Sequence, residues 1–392
     1  MKQKLWILSE LFYPQESTTS FILTNIANQM AQKYEVNVIC GPSKRQATDT
    51  MTLDERVNVH RINKCDYSKN KIWTRVIRLF SISLMMAWKL NRKCKKGEKV
   101  LLITNPAPLI VFIPMLKALK RFELTILAQD IFPENTIAAK IFKNRKSTCY
   151  RLLKSFFDKS YAKADKIIVC GRDMKEVVLQ KTKGKVEEEK VTTICNWADF
   201  EFITPQDQDF DPQHIRIQFA GNLGRVQGII PFIENFQRTE NPALMLEFWG
   251  AGALEKKIEQ CIQNNTKQNM EMKGPFSKAQ QQTVLNRGDL ALVTLADEMY
   301  GLGVPSKTYN YMAAGKAILY IGSAKSEIAM MVKEHQIGYC FEPCQQQELV
   351  EFLNNLSLEK KAELKEKGRR AHQTAKQLYT KEKILTKYFK FI

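Results

Sequence analysis

The sequence predicts an α/β protein built from two consecutive doubly wound domains. Three observations predict it. Short apolar runs alternate with stretches of helical periodicity over roughly the first 200 residues, an acidic and polar segment then interrupts them, and a second series of the same kind follows. A chain of 392 residues is also too long for one small domain, and with 44% hydrophobic residues it can bury a full core.

In the first series, LWILSE (5–10) is an apolar run that ends in polar residues, as a buried parallel strand does. The loop LFYPQESTTS follows, and FILTNIANQMAQKY then places apolar residues at helical spacing. EVNVICG (35–41) is the next strand, stopped by Gly41-Pro42. VNVHRI (57–62), KVLLITN (99–105), ELTILAQD (123–130) and KIIVCG (166–171) continue the strands, with helices predicted over 71–96, 107–121 and 147–163. The pause is FEFITPQDQDFDPQ (200–213), read as a linker, and Asn196 just before it is read as fixing a hinge. The second series is IRIQFAG (215–221), ALMLEFWG (243–250), NMEMKG (269–274), DLALVTL (289–295) and AILYIG (317–322), each followed by a helical stretch. Beyond Pro343 the pattern is helical, over about 346–355 and 358–378, and ends in the basic, one-sided KEKILTKYFKFI.

Charge divides the chain. Residues 1–200 hold 36 Lys and Arg against 19 Asp and Glu, a net of +17, whereas the rest hold 24 against 22, a net of +2. A basic half calls for an anionic partner: nucleic acid, anionic lipid or a phosphorylated acceptor. No RNA- or DNA-binding signature accompanies it, so nucleic acid is not expected. KIWTRVIRLFSISLMMAWKLNRKCKK (71–96) joins large apolar residues to Arg75, Arg78, Lys89, Arg92, Lys93, Lys95 and Lys96. That composition suits the interfacial layer of an anionic membrane, or else a core-packed helix with a basic end. The first twenty residues lack a signal-peptide h-region, and no uncharged run is long enough to span a bilayer. The nine cysteines are scattered without a CxxC pair, as expected of reduced thiols, and no zinc set is completed.

In open α/β sheets ligands bind beyond the carboxyl ends of the strands, so the loops after each strand are the candidates. FAGNLGRVQGI (219–229) spaces Gly221, Gly224 and Gly228 around a turn into a helix, where backbone N–H groups meet a phosphate and Arg225 pairs with a diphosphate, unless the glycines serve a tight turn alone. FWGAGALEKKI (248–258) repeats the design with Gly250 and Gly252. GLGVPSKTYNYMAAGKAIL (301–319) brings Pro305, Ser306 and Lys307 to the start of a short helix that Gly315 ends. Three such loops in one domain carry more weight than any one of them.

The order GNLGRVQG, FWGAG, VPSKTYNYMAAGKAI resembles the donor-binding half of the family-4 glycosyltransferases of GT-B fold. LFYPQ, TNPAP (104–108), AQDIFPE (128–134) and ICNWADF (194–200) agree with it, and the set is similar to the bacterial subgroup that builds O-antigen, capsule and colanic-acid repeats, fucosaminyltransferase-like members included. The resemblance implies two Rossmann-like domains facing across a cleft. Residues 1–203 would hold the acceptor and 204–375 the nucleotide sugar, and a C-terminal helix over 376–392 would return to the first domain.

It also implies a retaining, metal-independent transfer without a cofactor, in which Arg225 and Lys307 neutralise the leaving diphosphate, helped by N–H groups near Gly224 and Ser306. The donor is expected to be UDP-linked. The acceptor is expected to be a lipid-linked saccharide of undecaprenyl-diphosphate type, used by a cytoplasmic enzyme peripheral on the inner face of the plasma membrane. Asn222, with Gln227, stands where relatives carry a basic pair, and Tyr309 lies in the matched donor motif. The family's glutamate pair is missing: its second member falls on Asn310, its first near Leu302, and Glu298 comes too early without a loop rearrangement. Asp130, Glu134 and Glu16 are the carboxylates that the resemblance offers for acceptor positioning or proton transfer. A nucleotide-sugar epimerase of the same fold and a catalytically silent partner subunit are the competing readings.

Overall fold

The computed structural model describes residues 2–43, 51–62, 72–142, 144–207 and 210–392. Cys65, Lys71, the Arg75 side chain and positions 208–209 of the expected linker lie outside them. The chain forms two compact units. One takes in residues up to 137, 142–194 and 385–392, and the other takes in 138–141 and 195–384.

The first unit runs β1 (Lys4–Ser9), α1 (Thr18–Met30), β2 (Glu35–Cys40), β3 (Asn58–Arg61), α2 (Ile72–Lys93), β4 (Lys99–Ile103) and α3 (Leu109–Lys120). It continues through β5 (Glu123–Ala128), α4 (Asn135–Ala138), α5 (Thr148–Tyr161), β6 (Lys166–Val169), α6 (Arg172–Thr182) and β7 (Val191–Thr193). All seven strands are parallel, in the order β3-β2-β1-β4-β5-β6-β7. The middle strands are apolar nearly throughout because helices cover both faces, and Leu5, Ile7, Leu101, Leu102, Ile126 and Leu127 are fully buried. Ser17 caps α1 and Ser147 caps α5, each accepting a backbone N–H bond at its helix start. The end of the chain is tied into this unit, where Lys99 donates to the Ile392 carbonyl and Lys166 to that of Phe391.

The second unit runs β8 (Ile215–Ala220), α7 (Ile229–Gln237), β9 (Leu244–Trp249), α8 (Glu255–Gln263), β10 (Met270–Gly274), α9 (Gln281–Asn286) and β11 (Leu290–Thr294). Then come α10 (Lys307–Ala313), β12 (Ala317–Ile321), α11 (Glu327–His335), β13 (Gly338–Phe341), α12 (Gln346–Asn354), α13 (Lys361–Leu378) and α14 (Lys381–Phe391), whose last turns belong to the first unit. Its six strands are again parallel, in the order β10-β9-β8-β11-β12-β13.

The two sheets match the predicted doubly wound class, but each carries an edge strand that the pattern did not reveal. β7 has three residues, two of them threonine, and β13 has four, each only half-buried. The described residues of the acidic segment after residue 198 form no helix or strand before β8, yet the segment begins docked on its own unit. Asp199 pairs with Lys278, the Thr204 N–H donates to Gln282 (2.8 Å), and the Gln206 N–H donates to Asn286 (2.8 Å).

Candidate functional site

Each sheet reverses strand order beside its first strand, at β1/β4 and at β8/β11, which is where such sheets open a crevice for ligands. In the second unit the loops after β8 and β9 pack backbone to backbone. The Gly221 N–H donates to the Trp249 carbonyl (2.8 Å), the Leu223 N–H to Ala251 (3.1 Å) and the Leu254 N–H to Leu223 (3.0 Å). Gly221 and Gly250 hold φ of +139° and +141°, and a Cβ on Gly250 would lie 1.9 Å from the Gly221 carbonyl oxygen. No other residue fits there, which is why the sequence repeats strand-then-glycine at these two positions. Gly252 lies against the Leu223 carbonyl in the same interface, and Gly224 beside the Asn222 side chain.

The loop after β11 joins them. The Ala296 N–H donates to the Val226 carbonyl (2.9 Å), and the Thr294 hydroxyl bonds the Gln227 carbonyl. This sets the exposed Glu298 in a loop bonded to the turn that carries the exposed Asn222 and Arg225. Arg225 makes no ion pair among the described residues.

Lys307 completes the group. Its side chain runs past Gly221, whose added Cβ would lie 3.7 Å from Lys307 Cδ, and its ammonium rests 3.1 Å from the centre of the Phe219 ring. Although the residue as a whole is only half-buried, Nζ itself is inaccessible and has no hydrogen-bond partner among the described residues. Burial holds its pKa well below the ordinary lysine value. An unpaired ammonium away from water is costly by several kcal/mol or more, and nearby ring electrons offset only a part.

The start of α10 is pinned by a residue that the sequence reading did not single out. The Tyr311 hydroxyl accepts from the Ala220 N–H (2.6 Å) and donates to the Gln218 carbonyl (3.1 Å), fastening the helix under the end of β8. Tyr311 stands one helical turn after Lys307, so the bond fixes the lysine against Gly221. Its sequence signal is the i, i+4 spacing alone.

Pro305 and Ser306 lead directly into this helix, and the Ser306 hydroxyl makes no cap bond there. The remaining two donor candidates point elsewhere. Tyr309 is fully buried against Tyr379, with ring centres 5.1 Å apart, and Asn310 accepts the Asp199 N–H (3.2 Å). The structure therefore brings together Gly221, Asn222, Gly224, Arg225, Gly250, Gly252, Glu298, Pro305, Ser306 and Lys307, and turns Tyr309 and Asn310 toward the packing behind them.

In the first unit the Glu10 N–H donates to the Asn105 carbonyl (3.0 Å), linking the loops after β1 and β4. The Thr104 hydroxyl accepts the N–H groups of Gln129 (3.2 Å) and Asp130 (3.3 Å), which fixes the end of β5. Asp130 is exposed, yet crowding by protein raises its carboxyl, to about 6. Water at the open surface opposes that rise, so the upward direction is what matters chemically. Glu16 is exposed in the loop after β1.

Glu134 is placed differently. It accepts from Lys154 (2.6 Å) and Lys181 (2.9 Å), and both lysines also reach Asp158. Burial raises the Glu134 carboxyl, but the two ammonium groups overcome it and hold the pKa below the usual value. Two cations and two carboxylates thus close on one another between α5, α6 and the segment leading into α4.

Residues 201–377 match the family described as Glycosyl transferases group 1. In its second unit the chain therefore carries a glycosyltransferase group 1 domain. It is similar to "Probable glycosyltransferase WbjE" of Pseudomonas aeruginosa, with 29% identity over 345 residues, covering 86% of this chain and 85% of the relative. It is also similar to WcaI of Escherichia coli (strain K12), assigned by name to colanic acid biosynthesis as a glycosyl transferase, with 25% identity over 191 residues and 46% of each chain covered. Among solved structures, the Anabaena protein HepE in complex with UDP superposes with a TM-score of 0.69 at 14% identity, covering 100% of this chain and 99% of that one. Sucrose-phosphate synthase from Thermosynechococcus elongatus does so with 0.75 at 10% identity, covering 99% and 98%. At these identities the likeness bears on the fold.

Proposed function

We propose that this chain is a retaining glycosyltransferase that moves a sugar from a UDP-linked donor to a lipid-linked saccharide in surface-polysaccharide biosynthesis, on the inner face of the plasma membrane. The observation that carries the proposal is the ammonium of Lys307, inaccessible beside Gly221 and unpaired among the described residues. A buried cation without an anion is a poor structural element, whereas a donor diphosphate lying over the Gly221 turn would pair with it. Arg225, exposed on the same turn, reaches the phosphate from the solvent side. The two cations then stabilise the charge that grows on the leaving diphosphate, in a preorganised setting where such contacts are worth most.

UDP as the nucleotude moiety is supported by HepE, of matching fold, whose structures were solved with UDP and with UDP-glucose. Surface polysaccharide as the product is supported by the colanic-acid assignment in the name of WcaI. In the first unit we assign the acceptor to the loops after β1, β4 and β5. Asp130, with a raised pKa and an open carboxyl, is the group suited to take or share the acceptor proton. We read Glu134 as holding that loop through its ion pairs, and Glu16 as an acceptor contact.

Calorimetric titration with UDP, GDP, dTDP and CMP, on the wild type, Lys307→Ala and Arg225→Ala, tests the donor site. UDP should bind selectively, and both variants should lose it. Binding of none of the four would sink the donor reading and favour a silent partner subunit. Interconversion of free nucleotide sugars without an acceptor would mark an epimerase instead.

A further inference from the structure

Helix α2 is apolar on two opposite sides. Ile82, Met86 and Leu90 are fully buried against the first sheet, as a surface helix requires. On the other side Ile77, Phe80, Leu84 and Trp88 recur at helical spacing with about half of each side chain in solvent, Trp88 at 57%. The core does not need this second stripe. It also continues beyond the helix. Phe80 meets Phe112 of α3 edge to face (6.3 Å), and α3 itself exposes Met115 and Leu119 one turn apart. Next to α3 lies α5, which exposes Leu152 and Phe156 at the same spacing. Three neighbouring helices thus share one outward apolar face, far more than scattered exposed residues explain.

Cations border it. The Gly97 N–H donates to the Arg121 carbonyl (3.1 Å), so the carboxyl ends of α2 and α3 adjoin and gather Arg92, Lys95, Lys96, Lys120 and Arg121. The Arg92 guanidinium lies over the Trp88 ring (4.8 Å), placing charge at the edge of the apolar stripe. On its other side α5 borders a pocket of about 330 Å³ shared with α6, lined by Arg151, Lys154, Lys159, Lys181, Lys183 and Lys185 among others. Asp158 is the carboxylate in that lining, and it is taken by Lys154 and Lys181. Arg151, Lys159, Lys183 and Lys185 make no ion pair among the described residues, so the pocket has positive charge to spare.

We propose that the outer face of α2, α3 and α5 docks on an anionic bilayer: the apolar stripe enters the interfacial layer, and the lysine-lined pocket takes a phosphate-bearing lipid headgroup. This deepens the membrane part of the proposed function by naming the surface and its headgroup site. Charge selects the occupant. A second copy of this chain docked through the same face would set one basic first unit against another, and residues 1–200 carry 36 Lys and Arg against 19 Asp and Glu. A nucleic acid would use the cations and leave the apolar stripe in water. An anionic bilayer satisfies both, with apolar burial and charge attraction adding. No described helix is long and apolar enough to cross a membrane, so the face would lie on the bilayer.

Co-sedimentation of the full chain with vesicles of phosphatidylcholine, with and without phosphatidylglycerol, tests this. Wild type should pellet with the anionic vesicles at low salt and stay in solution with the neutral ones. L84D combined with W88D should lower the partition coefficient at least about tenfold, and K183E combined with K185E should lower it by about threefold to tenfold. Wild type left in the supernatant, or apolar variants that pellet undiminished, would overturn the proposal. So would a dimer in sedimentation velocity that L84D and W88D dissolve. UDP titration on the same samples keeps the two readings apart. Variants that bind UDP yet leave the vesicles are folded and support the docking face, whereas vesicle binding by a wild type that ignores UDP counts against the donor site alone.

Discussion

The carboxyl edges of the two sheets share a topology and differ in chemistry. The second unit's edge is closed by glycines packed backbone to backbone, and it holds a buried cation that has no hydrogen-bond partner among the described residues. At the first unit's edge an open carboxyl stands beside a threonine-fixed loop, with the neighbouring carboxylate fully engaged by lysines. In the function proposed above, the first arrangement would take an anion and the second would supply a base. One architecture would then serve opposite electrostatic tasks, and the predictions below either break that contrast or sharpen it.

The largest effect is expected at Lys307. Lys307→Met keeps the bulk and removes the charge, so UDP affinity and turnover should fall about a hundredfold or more. The unliganded protein should at the same time melt higher, because an unpaired buried ammonium has gone. The sign with pH follows. A lysine whose folded pKa is depressed binds fewer protons folded than unfolded, so wild-type stability should rise as pH climbs from the folded pKa toward 10.5, a rise that the variant should lack. Thermal melts with and without UDP check both, and a variant that melts lower while still binding UDP would remove the contrast.

Asp130 comes next. Asp130→Asn should lower turnover at least about tenfold in a protein that melts normally. If the deprotonated carboxyl is the working form, wild-type turnover should fall as pH drops through a pKa raised above the ordinary aspartate value, and that limb should be missing in the variant. Unchanged turnover would take Asp130 out of the mechanism. A smaller effect is expected at Tyr311, which is fully buried. Tyr311→Phe removes the hydroxyl from the Ala220 N–H and the Gln218 carbonyl, loosens the seat of Lys307, and should raise the donor KM several-fold with kcat nearly kept.

The glycine loops were legible in the sequence because their demand is local. A strand that ends in glycine leaves a mark within three or four residues, as at 221 and 250. The interior strands were legible because burial on both faces makes them apolar throughout. What stayed hidden depends on residues far apart in the chain. Lys307 reads as one more cation until Phe219 and Gly221 are seen to enclose it. Tyr309 and Asn310 share a motif with Lys307, yet a helix turns successive side chains by 100°, and these two face the packing. β13 escaped notice because an edge strand that is half-buried has no periodic apolar signature.

Glu134 gives the smallest expected change in turnover and the clearest test of the first edge. Its partners Lys154 and Lys181 lie 20 and 47 residues away in sequence, and together with Asp158 they form a neutral group of four. Glu134→Gln leaves an extra positive charge beside Lys181, whose side chain is 1% exposed. Breaking a fully buried pair costs about 3–5 kcal/mol. The loss here should be smaller, because Lys154 is 38% exposed and water can reach it. Because the folded pKa of Glu134 is depressed, its contribution is present above the unfolded value near 4.5 and is lost as pH falls through the folded pKa, so wild type and variant should converge in acid. Melting should thus separate them at neutral pH while kcat stays within about twofold. The reverse pattern, normal melting with turnover down tenfold, would place Glu134 on the substrate and give the first edge two working carboxylates.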